Sequence, residues 1–148
     1  MTHQLIELVA VLACTWFAGA AVYITAVEHP ARLSCGAELA RRQWAPSYKR
    51  ATIMQASLAV VAGLSGIVRF LQGGDPIWAI AAAAILAVVP FTLIVIRPTN
   101  NRLLEERPDR RPEETLHLLR SWGRLHAVRS ALSVAASILF VWAAAATH

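Results

Sequence analysis

Apolar residues run almost unbroken over four stretches, residues 5–27, 51–71, 77–96 and 125–146, and the charged residues collect in the connections between them. About 20 residues of apolar helix cross the hydrocarbon core of a bilayer, so each stretch is long enough to span one. Backbone groups in lipid must be satisfied within the chain, so four such stretches predict a helical bundle and not a barrel. The expectation is a single all-α domain over residues 1–148, an integral membrane four-helix bundle of antiparallel spans. The residues ahead of the first stretch, "MTHQ", carry no Lys or Arg. A cleaved secretory signal has a positive n-region, so the first span is expected to be permanent.

The connections carry their own signals. In "EHPARLSCGAELARRQWAPSYKR", Ser34 is placed to cap a short helix from Cys35 to about Gln43. Leu33, Leu39 and Trp44 are expected against the membrane, with Arg32, Arg41 and Arg42 reaching headgroups and Trp44 acting as an interfacial anchor. The second connection, "QGGDP", reads as a tight turn whose glycines end one helix and whose Asp75-Pro76 starts the next. In the third, Pro98 is expected to stop the third span. Pro112, followed by Glu113 and Glu114, is expected to open a last helix of about 35 residues, or about 52 Å at 1.5 Å per residue.

Composition agrees with this pattern: 57% of residues are hydrophobic and 16% charged, too apolar for an ordinary water-soluble domain. Charge adds an orientation. Of the fourteen Lys and Arg residues, five lie in the first connection, eight in the third connection and the start of the fourth span, and only Arg69 near "QGGDP". Short basic loops stay cytoplasmic, so both termini are expected on the non-cytoplasmic side of a membrane of the bacterial inner (plasma) type. The net charge of +5 is then the positive-inside signal plus contact with anionic lipid headgroups, and predicts no nucleic-acid partner. Cys14 within a span and Cys35 in a cytoplasmic loop are not expected to pair, and neither has metal-ligand spacing.

Antiparallel spans bring the end of span one, the start of span two, the end of span three and the start of span four to the basic side. Tyr23, Glu28 and His29 end the first; Tyr48, Thr52 and Gln55 start the second; Thr99 and Asn100 follow the third; Trp122, His126 and Arg129 start the fourth. Tyr48, Thr52 and Gln55 are spaced i, i+4, i+7, as are Trp122, His126 and Arg129, so each set shares one helix face. Exposing such residues to lipid is costly, so both faces are expected to look inward. A carboxylate, an arginine and two imidazoles in one buried network suit proton handling or ligand binding. Glu28, His29 and His126 would also supply a three-ligand metal site, although the paired Glu-x-x-His signature of di-metal bundles is missing. Glu7 is expected to reach the interface and His117 to be solvated, and His3 and His148 are terminal; none of the four is given a role.

Three motifs at these positions, "Y-x-x-x-x-E-H-P-A-R", "P-F-T-x-x-x-I-x-P-T-N" over residues 90–100 and "W-G-R-L-H-A-V-R-S" at the start of span four, resemble the four-helix membrane family that contains the fungal anthrone oxygenases. The resemblance covers nearly the whole chain. It implies oxidation of an anthrone-type polyketide at its central methylene by dioxygen, giving a quinone without a dedicated organic cofactor. Carried over, it implies that His126 is a general base tuned by Glu28 or His29, that Arg129 and Asn100 hold the developing oxyanion, and that Trp122 and Tyr48 flank a flat ring, with Tyr23, Thr52, Gln55 and Thr99 as further lining. The partners implied are a hydrophobic aromatic small molecule, dioxygen and membrane lipid. Two other readings stay open: a non-catalytic binder of a lipid, quinone or other hydrophobic ligand, and a metal or haem redox protein using His29 and His126. Ser57, Gly63 and Gly66 allow close helix approach, within one chain or in a homo-oligomer.

Overall fold

The structure is a computed structural model that describes residues 2–146; His148 lies outside the described residues. Its elements are α1 (Thr2–Tyr23), a π-helical turn (Ile24–Glu28), α2 (His29–Ser34), α3 (Ala37–Leu71), α4 (Ile77–Phe91), a second π-helical turn (Thr92–Ile96), α5 (Arg97–Leu104) and α6 (Pro112–Ala146). Each π turn continues its helix, so α1 with α2 and α4 with α5 form single rods, and four rods are long and apolar enough to cross a membrane. Sequence neighbours pack side by side around the bundle, and α6 closes the ring by packing on both α1 and α4. Leu12, Trp16, Ile53, Leu71, Ile94, Ile138 and Trp142 are exposed on the outside. An apolar surface of this kind needs lipid to cover it, and the protein is an integral membrane protein.

The interior divides along the bundle axis. Phe17, Trp78, Ile85 and Phe140 pack with small alanines in the half nearer the termini. Ile24, Trp44, Ile96, Leu103, Leu119 and Trp122 fill the half nearer the basic loops. The polar residues of interest lie between and within this second half.

Pro98 does not end the third rod. A proline inside a helix lacks a donor and its ring clashes with the carbonyl four residues back. Here the residue before each proline, His29 or Arg97, donates its N–H five residues back, to the carbonyl of Ile24 or Thr92. The extra residue in the turn relieves the clash and lets the helix continue. The first connection also differs from expectation. Ser34 lies in α2 and its hydroxyl donates to the Ala31 carbonyl at 2.7 Å. The break falls at Gly36, whose φ of 82° suits only glycine, and α3 then runs unbroken through Pro46 to Leu71.

Two residues assigned to the lipid interface are interior. Trp44 is fully buried, because the continuous α3 turns it toward α6. Glu7 is buried too, and accepts a hydrogen bond from Arg69 Nε at 2.5 Å, with the guanidinium 6.0 Å from the centre of the Trp78 ring. At the "QGGDP" turn Gly73 has φ 84° and the Asp75 carboxylate accepts the Ile77 N–H at 2.9 Å, as a turn followed by a helix start requires.

Close approach of α3, α4 and α6 depends on Gly66, where a Cβ would lie 2.7 Å from the Phe140 ring and 3.0 Å from the Ala82 methyl. Gly66→Val is expected to cost about 1–3 kcal/mol through overpacking, seen as a lower Tm in detergent. A Tm equal to wild type would mean that the three helices do not meet there.

Candidate functional site

Below this apolar half, the π turn that rescues Pro30 also sets what the first rod presents. Glu28 and Arg32 fall at i, i+4 and form an ion pair, Arg32 NH2 to Glu28 Oε1 at 2.6 Å. The same Glu28 oxygen accepts from Gln43 Nε2 at 2.8 Å and Ser47 Oγ at 2.9 Å, and Arg32 Nε donates to Gln43. Arg32 was expected to snorkel, yet its side chain is 2% exposed. Gln43 on α3, Glu28 and the His29 ring draw it inward, and a guanidinium stays where its donors are matched.

His29 is held at both ring nitrogens. Nε2 lies 3.0 Å from the Leu119 carbonyl, which can only accept, so Nε2 carries the proton. Nδ1 then accepts from Arg32 NH1 at 3.3 Å. The ring fits against α6 because residue 123 is glycine: a Cβ there would lie 2.6 Å from Nε2. With both nitrogens engaged, His29 ties the first rod to the fourth. It is not placed to share a metal with His126 and Glu28, and among the described residues no three His, Cys, Asp or Glu side chains come together as a metal site.

On α6 the Trp122 ring is the common contact. It stacks on His126 at 4.8 Å between centroids, meets His29 at 5.0 Å and receives Trp44 edge-on at 5.8 Å. Trp44 in turn stacks on Tyr48 at 5.0 Å and 6°. A flat ligand was expected between Trp122 and Tyr48; the Trp44 ring occupies that place. Tyr48 hydroxyl accepts from Asn100 Nδ2 at 3.1 Å, which joins α5 to this aromatic stack.

His126 is buried. Its Nδ1 lies 2.9 Å from Thr25 Oγ1, which lies 2.8 Å from Ser130 Oγ, which lies 3.0 Å from the Ala21 carbonyl. Run in that direction, each group donates once and the chain ends on an acceptor, so Nε2 keeps its lone pair. No hydrogen bond to Nε2 occurs among the described residues. Arg129 is 8% exposed. It donates from NH2 to Gln55 Oε1, its guanidinium is 5.1 Å from the centre of the Phe17 ring, and it has no acidic partner among the described residues.

Ile24, Trp44, Tyr48, Gln55, His126 and Arg129 line an enclosed chamber of about 20 Å³, and Thr52 and Trp122 also reach it. Three buried donors at this chamber, Trp44 Nε1, Gln55 Nε2 and Arg129 Nε, have no hydrogen-bond partner. The structure thus brings together His126, Arg129, Gln55, Thr52, Trp122 and Tyr48, with His29, Glu28 and Asn100 one contact further out. Tyr23 is 57% exposed, on the outer face of the first rod. Thr99 is half-buried on α5 and lines none of these spaces.

Thr25, Ser130, Gln43, Ser47 and Trp44 were not foreseen. Thr25, His29 and Arg32 show the same i, i+4, i+7 spacing that singles out the other two faces, and Ser130 is four residues beyond His126. Those signals were readable; the placement of Gln43 and Ser47 beside Glu28 and the burial of Trp44 follow from the unbroken α3 and were not.

Arg32→Ala removes the counter-charge of Glu28, which keeps only its bonds from Gln43 and Ser47, and leaves His29 Nδ1 without its donor. The expected loss is about 3 kcal/mol, the low end for a broken buried pair because Glu28 keeps some exposure. Arg42→Ala, which breaks only the exposed pair with Glu38, should cost at most about 1 kcal/mol. Equal Tm losses for the two variants would show that the inner pair is not buried.

A sequence model of the family described as anthrone oxygenase matches residues 44–139. An anthrone oxygenase of Claviceps purpurea is 27% identical over 148 aligned residues, covering 90% of this chain and 85% of the relative. The anthrone oxygenase nsrD of Aspergillus novofumigatus is 32% identical over 133 residues, covering 82% of each. The anthrone oxygenase tpcL of Aspergillus fumigatus is 40% identical over 63 residues, covering 40% of this chain and 39% of the relative. No solved structure matches. All three relatives are fungal, so the bacterial inner membrane expected from the sequence is not supported, while the membrane-spanning character rests on the four rods.

Proposed function

The chain belongs to the anthrone oxygenase family, and from that premise we propose that it oxidises a hydrophobic, anthrone-type aromatic with dioxygen at the edge of the chamber formed by His126 and Arg129. One observation carries this reading: a buried guanidinium with no carboxylate partner faces a space where three orphaned donors, Trp44 Nε1, Gln55 Nε2 and Arg129 Nε, gather beside a single open acceptor, His126 Nε2. Such a set calls for an anion, since unmatched buried donors cost about 1–3 kcal/mol each until an acceptor arrives. The oxyanion of a deprotonated anthrone is an acceptor of the right charge.

The chemistry needs no other co-reactant. His126 Nε2 takes a proton from the central methylene, through the one water that a chamber of this size accommodates. The electron pair delocalises into the ring carbonyl, and Arg129 with Gln55 holds the charge. One electron passes to dioxygen, and superoxide and the carbon radical combine into a hydroperoxide anion, which takes a proton back from His126. Loss of water across the remaining C–H and the O–O bond leaves the quinone. Anthrone and one dioxygen thus become quinone and one water. His29, Glu28 and Trp122 act as positioning residues: they hold α6 against the first rod and fix the imidazole.

Dioxygen uptake by detergent-purified protein with a simple anthrone tests the reading. His126→Ala is expected to lower kcat by about 10²–10⁴, the usual worth of a positioned base, with expression unchanged. Arg129→Lys should also lower kcat, because an ammonium does not reproduce the guanidinium contacts. Wild-type rates in both variants would remove the chamber from the mechanism. Uptake that instead tracks bound metal, or a Soret band in the same sample, would favour the redox alternative.

We infer from the loops rich in Arg and Lys that the chamber lies at the cytosolic end of the bundle. Reporters fused to either terminus should then be inactive in the cytosol and active on the far side. A cytosolic C-terminus would invert the arrangement.

A further inference from the structure

The chamber sets a size limit. A cavity of about 20 Å³ accommodates about one water, whereas pockets for drug-sized ligands run to about 300–1,000 Å³. A tricyclic aromatic therefore cannot lie beside His126 within the chamber. A second cavity, beyond Arg129 and lined by Phe17, Ala56, Val88 and Leu93, holds only about 110 Å³. Spaces of about 300 and 350 Å³ lie away from the chamber, at the basic loops and near the termini; the space of the right size that adjoins the chamber is a groove of about 750 Å³ between the first rod and α3.

We infer that this groove is the binding site for the aromatic body of the ligand, entered sideways from the bilayer; the inference rests on the oxygenase reading for its choice of ligand. Gly19 and Ala20 give the groove a floor with no side chain larger than a methyl group, and Tyr23 and Met54, both exposed to lipid, form its lips. A flat, apolar ring system that partitions into the membrane meets this opening without crossing water. At the basic end Arg50 lines the groove and forms no ion pair among the described residues, beside Gln43 and Ser47. That pole suits the acidic phenols of a hydroxylated polycycle, which gives the groove an orientation as well as a size.

The groove also touches the chemistry. Ile24, Ser47 and Ala51 line both the groove and the chamber, so the two spaces adjoin, and the reacting edge of a ligand held in the groove enters between these residues toward His126 and Arg129. Ile24 is the first residue of the π turn. The local widening that accommodates Pro30 thus lies at the partition between the two spaces.

Gly19 provides the test, because a Cβ there meets nothing within 4 Å. The probe is 1,8-dihydroxyanthraquinone, a stable molecule of the product class, titrated by tryptophan quenching in detergent. Wild type and Gly19→Ala should bind it saturably and alike. Gly19→Phe, and Met54→Trp from the opposite lip, should weaken binding at least tenfold with Tm retained. Ala56→Phe, which fills the cavity beyond Arg129, should leave affinity within twofold. Wild-type affinity in folded Gly19→Phe, loss of binding in Ala56→Phe instead, or no saturable binding by wild type would each overturn the inference. Binding that depends on Gly19 without dioxygen uptake from an anthrone would uphold the groove and overturn the oxygenase reading. Uptake that ignores Gly19→Phe would do the reverse.

Discussion

A helix that crosses lipid cannot leave a backbone carbonyl bare, and two prolines at the inner ends of the first and third rods press on that constraint. The chain answers with a π turn before each, His29 and Arg97 bonding five residues back. Without the first turn, the phase that sets Glu28, His29 and Arg32 against α3 and α6 would be about 100° off, since one residue of helix is about that rotation. The ion pair of Glu28, the double attachment of His29 and the room left by Gly123 are all consequences of where that turn falls. So is Ile24, at the partition between groove and chamber.

Two buried arginines show how differently one bundle can treat the same group. Arg32 is matched by a carboxylate, an amide and an imidazole, and its contribution is to hold three helices together. Arg129 has an amide and an aromatic ring, and no counter-charge. Burying an ion without a partner costs several kcal/mol, which the rest of the fold must supply. An uncompensated cation at a chamber lined with orphaned donors is therefore unfavourable in the resting protein and becomes favourable when an anion forms beside it. That asymmetry is the physical basis for assigning chemistry to Arg129 and structure to Arg32.

Much of the fold was legible because spans in lipid leave a plain signature: four apolar stretches, and two polar faces at i, i+4, i+7 that do look inward. His126, Arg129 and Gln55 were found by that rule. What the sequence hid lies where a regular helix is interrupted or where an interruption fails to occur. Pro98 looked like a stop because a π turn leaves no mark in composition. Trp44 and Arg32 looked interfacial because the first connection was expected to break near Ser34 and lie flat, whereas Gly36 is the only break and α3 carries Trp44 inside. Glu7 looked interfacial because its partner Arg69 is 62 residues away. Trp44, once inside, also takes the position between Trp122 and Tyr48 that a flat ligand was expected to fill.

The separation of a large, lipid-facing groove from a chamber with room for about one water fits the demands of an autoxidation steered by protein. The acidic methylene must meet a base, the resulting charge must be held, and the radical pair must be kept from bulk water. Electrostatic stabilisation is strongest where the dielectric is low and the dipoles are already in place. A chamber closed by Trp44, Trp122 and Ile24 meets the second condition, and its small volume meets the first by excluding solvent. Holding the polycycle in the neighbouring groove keeps its apolar area in the hydrocarbon phase and asks the interior to accommodate only the reacting edge. On the division we propose, the bilayer would act as the substrate reservoir and the bundle interior as the charge-stabilising part of the site, with the π turn of the first rod as the boundary between them.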